Sequence, residues 1–179
     1  MTRWNPACSL GMREIEQLLG LDTQEFAPAS TCAKVAELFR VKETEVALLE
    51  LRGSLLNFLF PLELTTAGAI PLSSSAVAAR TAQSRKAELF NSFLQVNHFS
   101  VFELVKLGDT GLDAQVIQKL MSAPVLTSED DVIGVVQISR KAPRPAIAGP
   151  DFTPEDLLKL ESVGRVVGRS MTKKRYIPW

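Results

Sequence analysis

The single histidine is the residue best suited to chemistry, so its neighbours decide what it can do. Any Ser-His-Asp triad would have to use His98, with Ser100 as the nearest serine. The sequence contains no Gly-x-Ser-x-Gly turn that would expose a nucleophilic serine. Zinc or iron ligation by His98 would lack the usual histidine and cysteine partners. We therefore interpret His98 as a hydrogen-bonding residue of a pocket or of the core, and we expect no catalytic residues, no enzyme activity and no bound metal.

The remaining reactive groups point to structural roles. Cys8 and Cys32 are the only cysteines, too few for a disulfide framework or a four-ligand zinc site. Neither Gly-x-x-x-x-Gly-Lys nor Gly-x-Gly-x-x-Gly occurs, so no phosphate-binding loop is predicted. The serines at 73–75 could bind an anion at the start of a helix, or could simply cap that helix. These patterns leave the identity of any cofactor unknown.

The composition indicates one globular domain of ordinary size. The 179 residues are 46% hydrophobic, with 20 basic and 20 acidic residues and no net charge. Nucleic-acid binding is not expected, because it needs clustered basic residues and the only dense run is Lys173–Arg175. No segment approaches the roughly 18 apolar residues that span a bilayer, and Met1–Pro6 lacks the apolar core of a signal peptide. We expect a cytoplasmic protein with no nucleic-acid or membrane partner.

The spacing of apolar residues predicts the elements that would position any site. Helical spacing predicts a first helix over Met12–Leu19, a second helix capped by Ser30, and a third over Ala76–Gln83. Between and after these helices the period changes to that of β-strands. Strands are predicted at Val46–Leu51, Leu55–Phe60, Ala87–Phe90, Gln118–Leu126 and Val132–Arg140.

The last helix has the clearest local signals. Thr153 is a capping hydroxyl, and Phe152 and Leu157 have the spacing of a hydrophobic staple across it. Gly164 and Gly168 then interrupt the apolar stripe, each at a cost of about 1 kcal/mol of helix propensity. A close approach of backbones could offset that cost. The approach could be to the chain's own sheet or to a second copy of the chain, and the sequence leaves both alternatives open.

The order of the elements favours an α+β fold. Strands that are grouped in hairpins, rather than alternating with helices, predict a mostly antiparallel sheet covered by helices. This order excludes a doubly wound dinucleotide-binding fold.

Taken in order, these segments resemble a GAF domain. The strongest block is Val132–Lys141 followed by Phe152–Asp156, in which a Gly-Val-Val-Gln strand leads through a loop to a Phe-Thr-Pro-Glu-Asp helix start. Further matching segments are Val46–Leu51, Ile70–Leu72, Ser74–Arg80, Asn91, His98 and Phe102–Glu103. We accordingly divide the chain into an N-terminal extension with a helix and a possible dimer contact (1–29), a GAF-like domain (30–172) and a C-terminal tail (173–179).

The resemblance implies an α/β sandwich of the GAF/PAS type. Its central sheet would be mostly antiparallel, with the terminal helices on one face and pocket-forming loops and short helices on the other. A small-molecule pocket would be lined by Asn91, Phe93, Asn97, His98, Phe99, Phe102 and Gln137. Because GAF domains commonly pair through their terminal helices, a homodimer contact would involve Ile15, Leu19, Gly164, Val167, Gly168 and Met171.

Subtypes of the family can be tested against the sequence. Cyclic-nucleotide-binding members carry an Asn-Lys pair where this chain has Arg140–Lys141, and Leu157 replaces their glutamate, so only half of that motif is present. Bilin-carrying and methionine-sulfoxide-reducing members need cysteines near the pocket, whereas Cys8 and Cys32 lie near the N-terminus. Haem binding through His98 is a further alternative.

The function implied is that of a sensory or regulatory domain. It would act as a homodimer, bind an unidentified small molecule and signal to a downstream protein. The alternative is a degenerate GAF domain that serves only as a dimerisation or protein-interaction module and binds no ligand.

Overall fold

The computed structural model describes residues 11–93 and 116–173. The helices in these ranges are α1 (Met12–Leu18), α2 (Pro28–Phe39), α3 (Val77–Ser84) and α4 (Pro154–Lys173). The strands are β1 (Val46–Arg52), β2 (Leu55–Phe60), β3 (Ala69–Pro71), β4 (Glu88–Phe90), β5 (Val116–Leu126) and β6 (Val132–Ala142). Within these ranges no helix is both long and apolar enough to cross a membrane.

The six strands form one antiparallel sheet in the order β3-β2-β1-β6-β5-β4. The two predicted hairpins are present as β1–β2 and β5–β6, and the pairing of β1 with β6 joins them at the centre of the sheet. The predicted α+β class with a mostly antiparallel sheet is confirmed. β3 was not predicted, because three residues beside a glycine are too short to show an alternating pattern.

One face of the sheet is covered by α1, α2 and α4, and we call it the α4 face. Alternate strand residues such as Val46, Met121 and Ile138 point to this face, as the two-residue period of a strand requires. They pack against the apolar stripes of the three helices in one buried cluster that includes Ile15 of α1 and Leu160 of α4. From residue 11 onward, the predicted N-terminal extension is therefore part of the folded core.

The opposite face is covered by α3, and we call it the α3 face. Ala47, Leu49 and Val135 point to it from the central strands, and Phe93 joins the same cluster from the segment after β4. The helix itself contributes small side chains, among which Ala79 is fully buried. The predicted separation of terminal helices on one face from a short helix on the other is thus observed.

Two helix starts differ from the prediction. α2 begins at Pro28 with Ala27 as its N-cap residue, while Ser30 lies inside the first turn and donates a hydrogen bond to the carbonyl oxygen of Ala27 at 3.3 Å. Proline at the first helical position fits this start, since its missing N–H would have no partner there. α3 has Ala76 as its N-cap residue, and the hydroxyl oxygen of Ser74 accepts from the Ala76 N–H at 3.4 Å.

The start of α4 agrees with the prediction. The Thr153 hydroxyl oxygen accepts from the backbone N–H of Asp156 at 3.2 Å, and the Asp156 carboxylate accepts from the backbone N–H of Thr153 at 2.9 Å. This reciprocal pair is a capping box. Phe152 is buried, and Leu157 packs against the same cluster as the staple requires.

The glycines of α4 pack on the chain's own sheet. A Cβ atom at Gly164 would collide with the backbone oxygen of Pro124, and one at Gly168 with the backbone oxygen of Leu126. The helix therefore lies directly on the backbone of β5. Of the two alternatives for these glycines, this geometry supports packing against the chain's own sheet.

Candidate functional site

The residues predicted for a pocket divide into two groups. Asn97, His98, Phe99 and Phe102 lie outside the described residues. Phe93 and Gln137 both lie on the α3 face, whereas the side chain of Asn91 is bonded to the segment that leads into α4. Two of the three described residues of the predicted pocket therefore share the α3 face.

Gln137 belongs to a buried cluster of polar side chains in the middle of this face. Its Nε2 donates to the Ser122 hydroxyl oxygen at 3.2 Å across the β5–β6 ladder, where the two residues are directly paired. The Ser122 and Thr81 hydroxyl oxygens lie 2.7 Å apart, which ties the sheet to α3. Thr81 and Ser122 are fully buried and Gln137 is 6% exposed. We call these three residues the polar cluster.

The directions of its hydrogen bonds follow from the protons available. Thr81 has one hydroxyl proton, which it donates to the carbonyl oxygen of Val77 at 2.9 Å, so toward Ser122 it can only accept. Ser122 then donates to Thr81 and must accept from Gln137. The amide of Gln137 is thereby held in one orientation. Within residues 11–93 and 116–173 no hydrogen bond to its Oε1 is present.

Aromatic and charged side chains border the α3 face at its β4 edge. Phe90 and Phe93 pack edge to face with their ring centroids 6.2 Å apart. The Arg80 guanidinium lies over the Phe90 ring at 5.5 Å and also donates to the Glu88 carboxylate through Nε at 2.9 Å. The hydrogen bond with Glu88 raises the pKa of Arg80. Arg80 is thus held as a fixed cation at the rim.

Asn91 contacts the other layer of the molecule. Its Oδ1 accepts from the backbone N–H of Phe152 at 2.8 Å, and its Nδ2 donates to the backbone oxygen of Phe152 at 3.0 Å. The side chain is therefore hydrogen-bonded to both backbone groups of the residue that precedes the N-cap of α4. These contacts do not support the prediction that Asn91 lines a pocket, because both polar ends of its amide are already bonded.

The Arg140–Lys141 pair, where the cyclic-nucleotide subtype has Asn-Lys, has internal partners. The Arg140 guanidinium lies over the Phe152 ring at 4.8 Å, and its buried Nε makes no hydrogen bond within the described ranges. Lys141 donates its backbone N–H to the Glu45 carboxylate at 2.8 Å and its Nζ to the Thr44 carbonyl oxygen at 3.0 Å. Both side chains fasten loops to the sheet.

A second lysine secures the loop before α4. Nζ of Lys119 donates to the carbonyl oxygen of Gly149 at 2.8 Å and to the Asp151 carboxylate at 2.6 Å. The Lys119 side chain is 9% exposed and that of Asp151 is 69% exposed. The ion pair therefore has one buried and one solvated partner, which suits a fastening between a sheet and a loop.

The described part of the chain contains one cysteine, and its acidic side chains can be compared with the requirements of a metal site. No group of three or more histidine, cysteine, aspartate or glutamate side chains there is arranged to hold a metal ion. Cys32 is a free cysteine buried in α2, and burial, with a smaller contribution from Glu43, raises the pKa of its thiol to about 12. A thiol of that pKa is almost entirely protonated near neutral pH and is a poor nucleophile.

The residues assigned to a homodimer contact are buried within one chain. Gly164 and Gly168 contact β5, and the side chains of Ile15, Leu19, Val167 and Met171 belong to the core of the α4 face. A second copy could reach these six residues only by replacing this chain's own helices. Homodimerisation stays a prediction, and a contact between intact chains would have to use other positions.

Sequence reasoning missed two of the three residues of the polar cluster. Ser122 interrupts an otherwise apolar stretch of β5, and Thr81 lies in an alanine-rich helix. A hydroxyl at a buried strand position was the available signal, since buried polar groups need partners. Its partner could not be identified without the register of β5 on β6 and the placement of α3.

The layering and strand order define an α+β domain with a helical layer on each face of an antiparallel sheet. No protein-family model and no curated protein matches the sequence. Solved structures do match: the GAF domain of the Acinetobacter phosphoenolpyruvate-protein phosphotransferase has a TM-score of 0.64 at 14% identity over 92% of each chain. The GAF domain of the Coxiella burnetii phosphoenolpyruvate-protein phosphotransferase gives 0.66 at 7% identity over 92% of each chain. A putative GAF sensor protein from Burkholderia vietnamiensis gives 0.60 at 16% identity over 93% of this chain and 99% of that one.

These likenesses extend over 92% to 93% of the chain rather than over one motif. The chain therefore has the fold of GAF domains, as the resemblance in the sequence implied. At such low identities the likeness concerns the fold, and function must be argued from the side chains of this chain.

Proposed function

We propose that this chain is a sensory or regulatory domain that binds a small molecule on the α3 face. The single observation that carries the proposal is the polar cluster, in which Thr81, Ser122 and Gln137 hold one another beside the apolar residues of the α3 face. Binding sites for small molecules combine mostly apolar walls with a few polar groups in fixed positions. The fold of GAF domains supports a sensory role in general terms.

The energetics support a binding role for the cluster. Burying a hydroxyl or amide costs free energy that a hydrogen bond only partly offsets, and apolar residues of the same shape would pack at little or no cost. A fixed Gln137 amide has a use if a ligand donates a hydrogen bond to Oε1. The ligand class that fits is a small, partly apolar molecule with an N–H or O–H group facing the sheet.

Native mass spectrometry of the full chain, purified without denaturation, tests this proposal. We expect a bound small molecule that dissociates on mild denaturation and that is lost in Gln137→Leu. Gln118→Leu is the matched control, because Gln118 is also a buried glutamine but donates to the carbonyl oxygen of Ala142, away from the cluster. His98→Ala and Phe102→Ala would test the two predicted pocket residues outside the described ranges. Equal retention of the molecule in Gln137→Leu and Gln118→Leu would contradict the proposed site.

A second candidate is an interaction module that binds no ligand. It is favoured by the self-sufficiency of the polar cluster, because each proton of its two hydroxyl groups already has an acceptor within the chain. A protein without any bound molecule in the same mass spectra, together with a defined oligomer, would support this candidate over the first.

Both candidates include a homodimer and a downstream signalling partner. Since the six residues first assigned to the contact are buried, we propose that a dimer uses the exposed side of α4, where Leu158 is 56% exposed. Leu158→Lys should convert a dimer to a monomer in size-exclusion chromatography with light scattering. The matched control is Leu62→Lys, because Leu62 is similarly exposed, at 60%, but lies in the turn after β2. If both variants kept the parent mass, this surface would be excluded.

The proposal includes no catalytic step. A cytoplasmic location and the absence of nucleic-acid and membrane partners remain predictions from the composition.

A further inference from the structure

Three consecutive residues, 91–93, contact both layers of the molecule at the β4 edge of the sheet. The Phe93 side chain is 2% exposed and lies in the cluster of the α3 face. Two residues earlier, the Asn91 amide is bonded to the backbone of Phe152 on the α4 face. This short segment therefore joins one face to the other around the outside of the sheet.

The residue that Asn91 holds is the one that fixes the start of α4. Phe152 is buried, its ring lies beneath the Arg140 guanidinium, and it directly precedes the capping Thr153. The amide of Asn91 accepts from the Phe152 N–H and donates to the Phe152 oxygen through two different atoms of one planar group. An aspartate in place of Asn91 would accept the first bond but would oppose the second oxygen with its own negative charge.

From this start α4 carries the contact across the domain. The helix is continuous over Pro154–Lys173, and its two glycines seat it on the backbone of β5. Near its far end, Nζ of Lys173 lies 3.8 Å from the Glu16 carboxylate of α1. α4 therefore starts at the residue that Asn91 holds, and it ends beside α1.

We propose that Asn91 is a coupling residue that transmits a change at Phe93, on the α3 face, to the first turn of α4. The proposal rests on the proposed function, since an occupant of the α3 face would be what displaces Phe93. Removing the Asn91 amide breaks this link while leaving both faces of the sheet in place.

Hydrogen exchange of the α4 amides tests the coupling without any ligand. The readout is the exchange rate of the Leu157–Leu160 amides relative to that of the Val163–Val167 amides in the same helix. Phe93→Leu should raise this ratio by at least about threefold in the parent protein, since coupling through packed contacts amounts to about 0.5–2 kcal/mol. In the Asn91→Ala background, the same change at Phe93 should leave the ratio within about 1.5-fold, because the link is already broken.

Phe58→Leu is the matched control, because Phe58 is also buried in the α3-face cluster but lies on β2, far along the sheet from β4. It should change global stability without changing the ratio. Asn91→Asp, which keeps the shape of the side chain and one of the two bonds, should behave as Asn91→Ala does. An equal response to Phe93→Leu with and without the Asn91 amide, or an equal response to Phe58→Leu, would overturn the coupling role. Because no ligand enters the measurement, a failure of the coupling is distinct from a failure of the proposed binding function.

Discussion

The two faces of the sheet differ in how their buried polar side chains are arranged. On the α4 face, Lys119 and Arg140 lie at one end, where they hold the loop before α4. On the α3 face, Thr81, Ser122 and Gln137 form a hydrogen-bonded cluster between the sheet and α3. The difference suggests that the α4 face is built for fixed packing, whereas the α3 face retains polar groups that packing alone does not require.

The glycines of α4 sharpen this contrast. With Gly164 and Gly168 over the backbone oxygens of Pro124 and Leu126, the helix cannot approach β5 more closely and cannot accept a larger residue. α3 contains no glycine, and it is tied to β5 through the Thr81–Ser122 hydrogen bond. We therefore expect steric changes to be most costly on the α4 face and polar changes on the α3 face.

The largest effect should come from Gly168→Ala. The added methyl group would collide with the backbone oxygen of Leu126, which cannot move without separating α4 from β5. Overpacking of this kind costs about 1–3 kcal/mol, and we expect a loss of about 3 kcal/mol in the free energy of unfolding in urea, despite the better helix propensity of alanine.

Gly11→Ala provides the matched control for this change. Among the described residues, a Cβ atom at Gly11 would meet nothing nearer than the Glu14 carboxylate at 3.9 Å, so a loss of less than about 1 kcal/mol is expected from the change of N-cap residue alone. A cost at Gly168 no larger than that at Gly11 would show that α4 is not seated on β5 as described.

Next in size is the removal of the hydroxyl at the centre of the polar cluster. Ser122→Ala leaves the Gln137 amide without its acceptor in a buried position, and we expect a loss of about 2 kcal/mol in the free energy of unfolding. Ser139→Ala is the control, because Ser139 is equally buried on β6 but makes a single bond of 3.3 Å to the Glu45 carbonyl oxygen. Its loss should be under about 1 kcal/mol. Equal losses in urea unfolding would remove the distinction between the cluster and an ordinary buried serine.

Substitutions at the polar end of the α4 face should reduce stability less than Ser122→Ala does. Lys119→Met leaves only the Gly149 oxygen without a buried partner, because Asp151 is mostly solvated, and a loss of about 1.5 kcal/mol is expected. Arg165→Met breaks the pair with Asp130, in which both side chains are largely exposed, and should cost less than about 0.5 kcal/mol. Thermal unfolding of the two variants would compare them. A larger loss for Arg165→Met would contradict the assignment of Lys119 as the fastening residue.

The smallest expected effect is a dependence of the free energy of unfolding on pH, which shows whether water reaches the Cys32 thiol on the α4 face. Because burial raises the pKa of the Cys32 thiol from 9.0 to about 12, the folded state favours the neutral thiol. The resulting stability is fully present below pH 9 and is lost as the pH rises toward 12. Between pH 8 and pH 10 the parent protein should lose about 1 kcal/mol more than Cys32→Ala does. Equal losses would mean that water reaches the thiol in the folded state.

Local signals in the sequence were enough for most of the fold. The β5–β6 hairpin and the capping box of Thr153 and Asp156 depend on residues close in the chain, and both were predicted. The start of α2 was placed too late, because Ser30 is a good capping residue and outweighed the proline at 28. β3 is an edge strand of three residues whose existence depends on pairing with β2, which no local pattern records.

The candidate site was predicted less completely for a similar reason. Gln137 and Phe93 were predicted as pocket residues through the resemblance, whereas the partner of Ser122 became visible only with the register between β5 and β6. Asn91 was predicted as a pocket residue, but the face to which its side chain turns depends on a partner 61 residues away. Gly164 and Gly168 indicated a close approach of backbones, and only the placement of α4 on β5 identified the partner.

A crystal structure of the protein as purified tests the central claim most directly. The account predicts a bound small molecule on the α3 face that donates a hydrogen bond to Oε1 of Gln137, while Nε2 of that amide stays bonded to Ser122. An α3 face closed by the chain's own side chains, with Oε1 of Gln137 accepting from one of them, would contradict the claim and would favour an interaction module without a ligand.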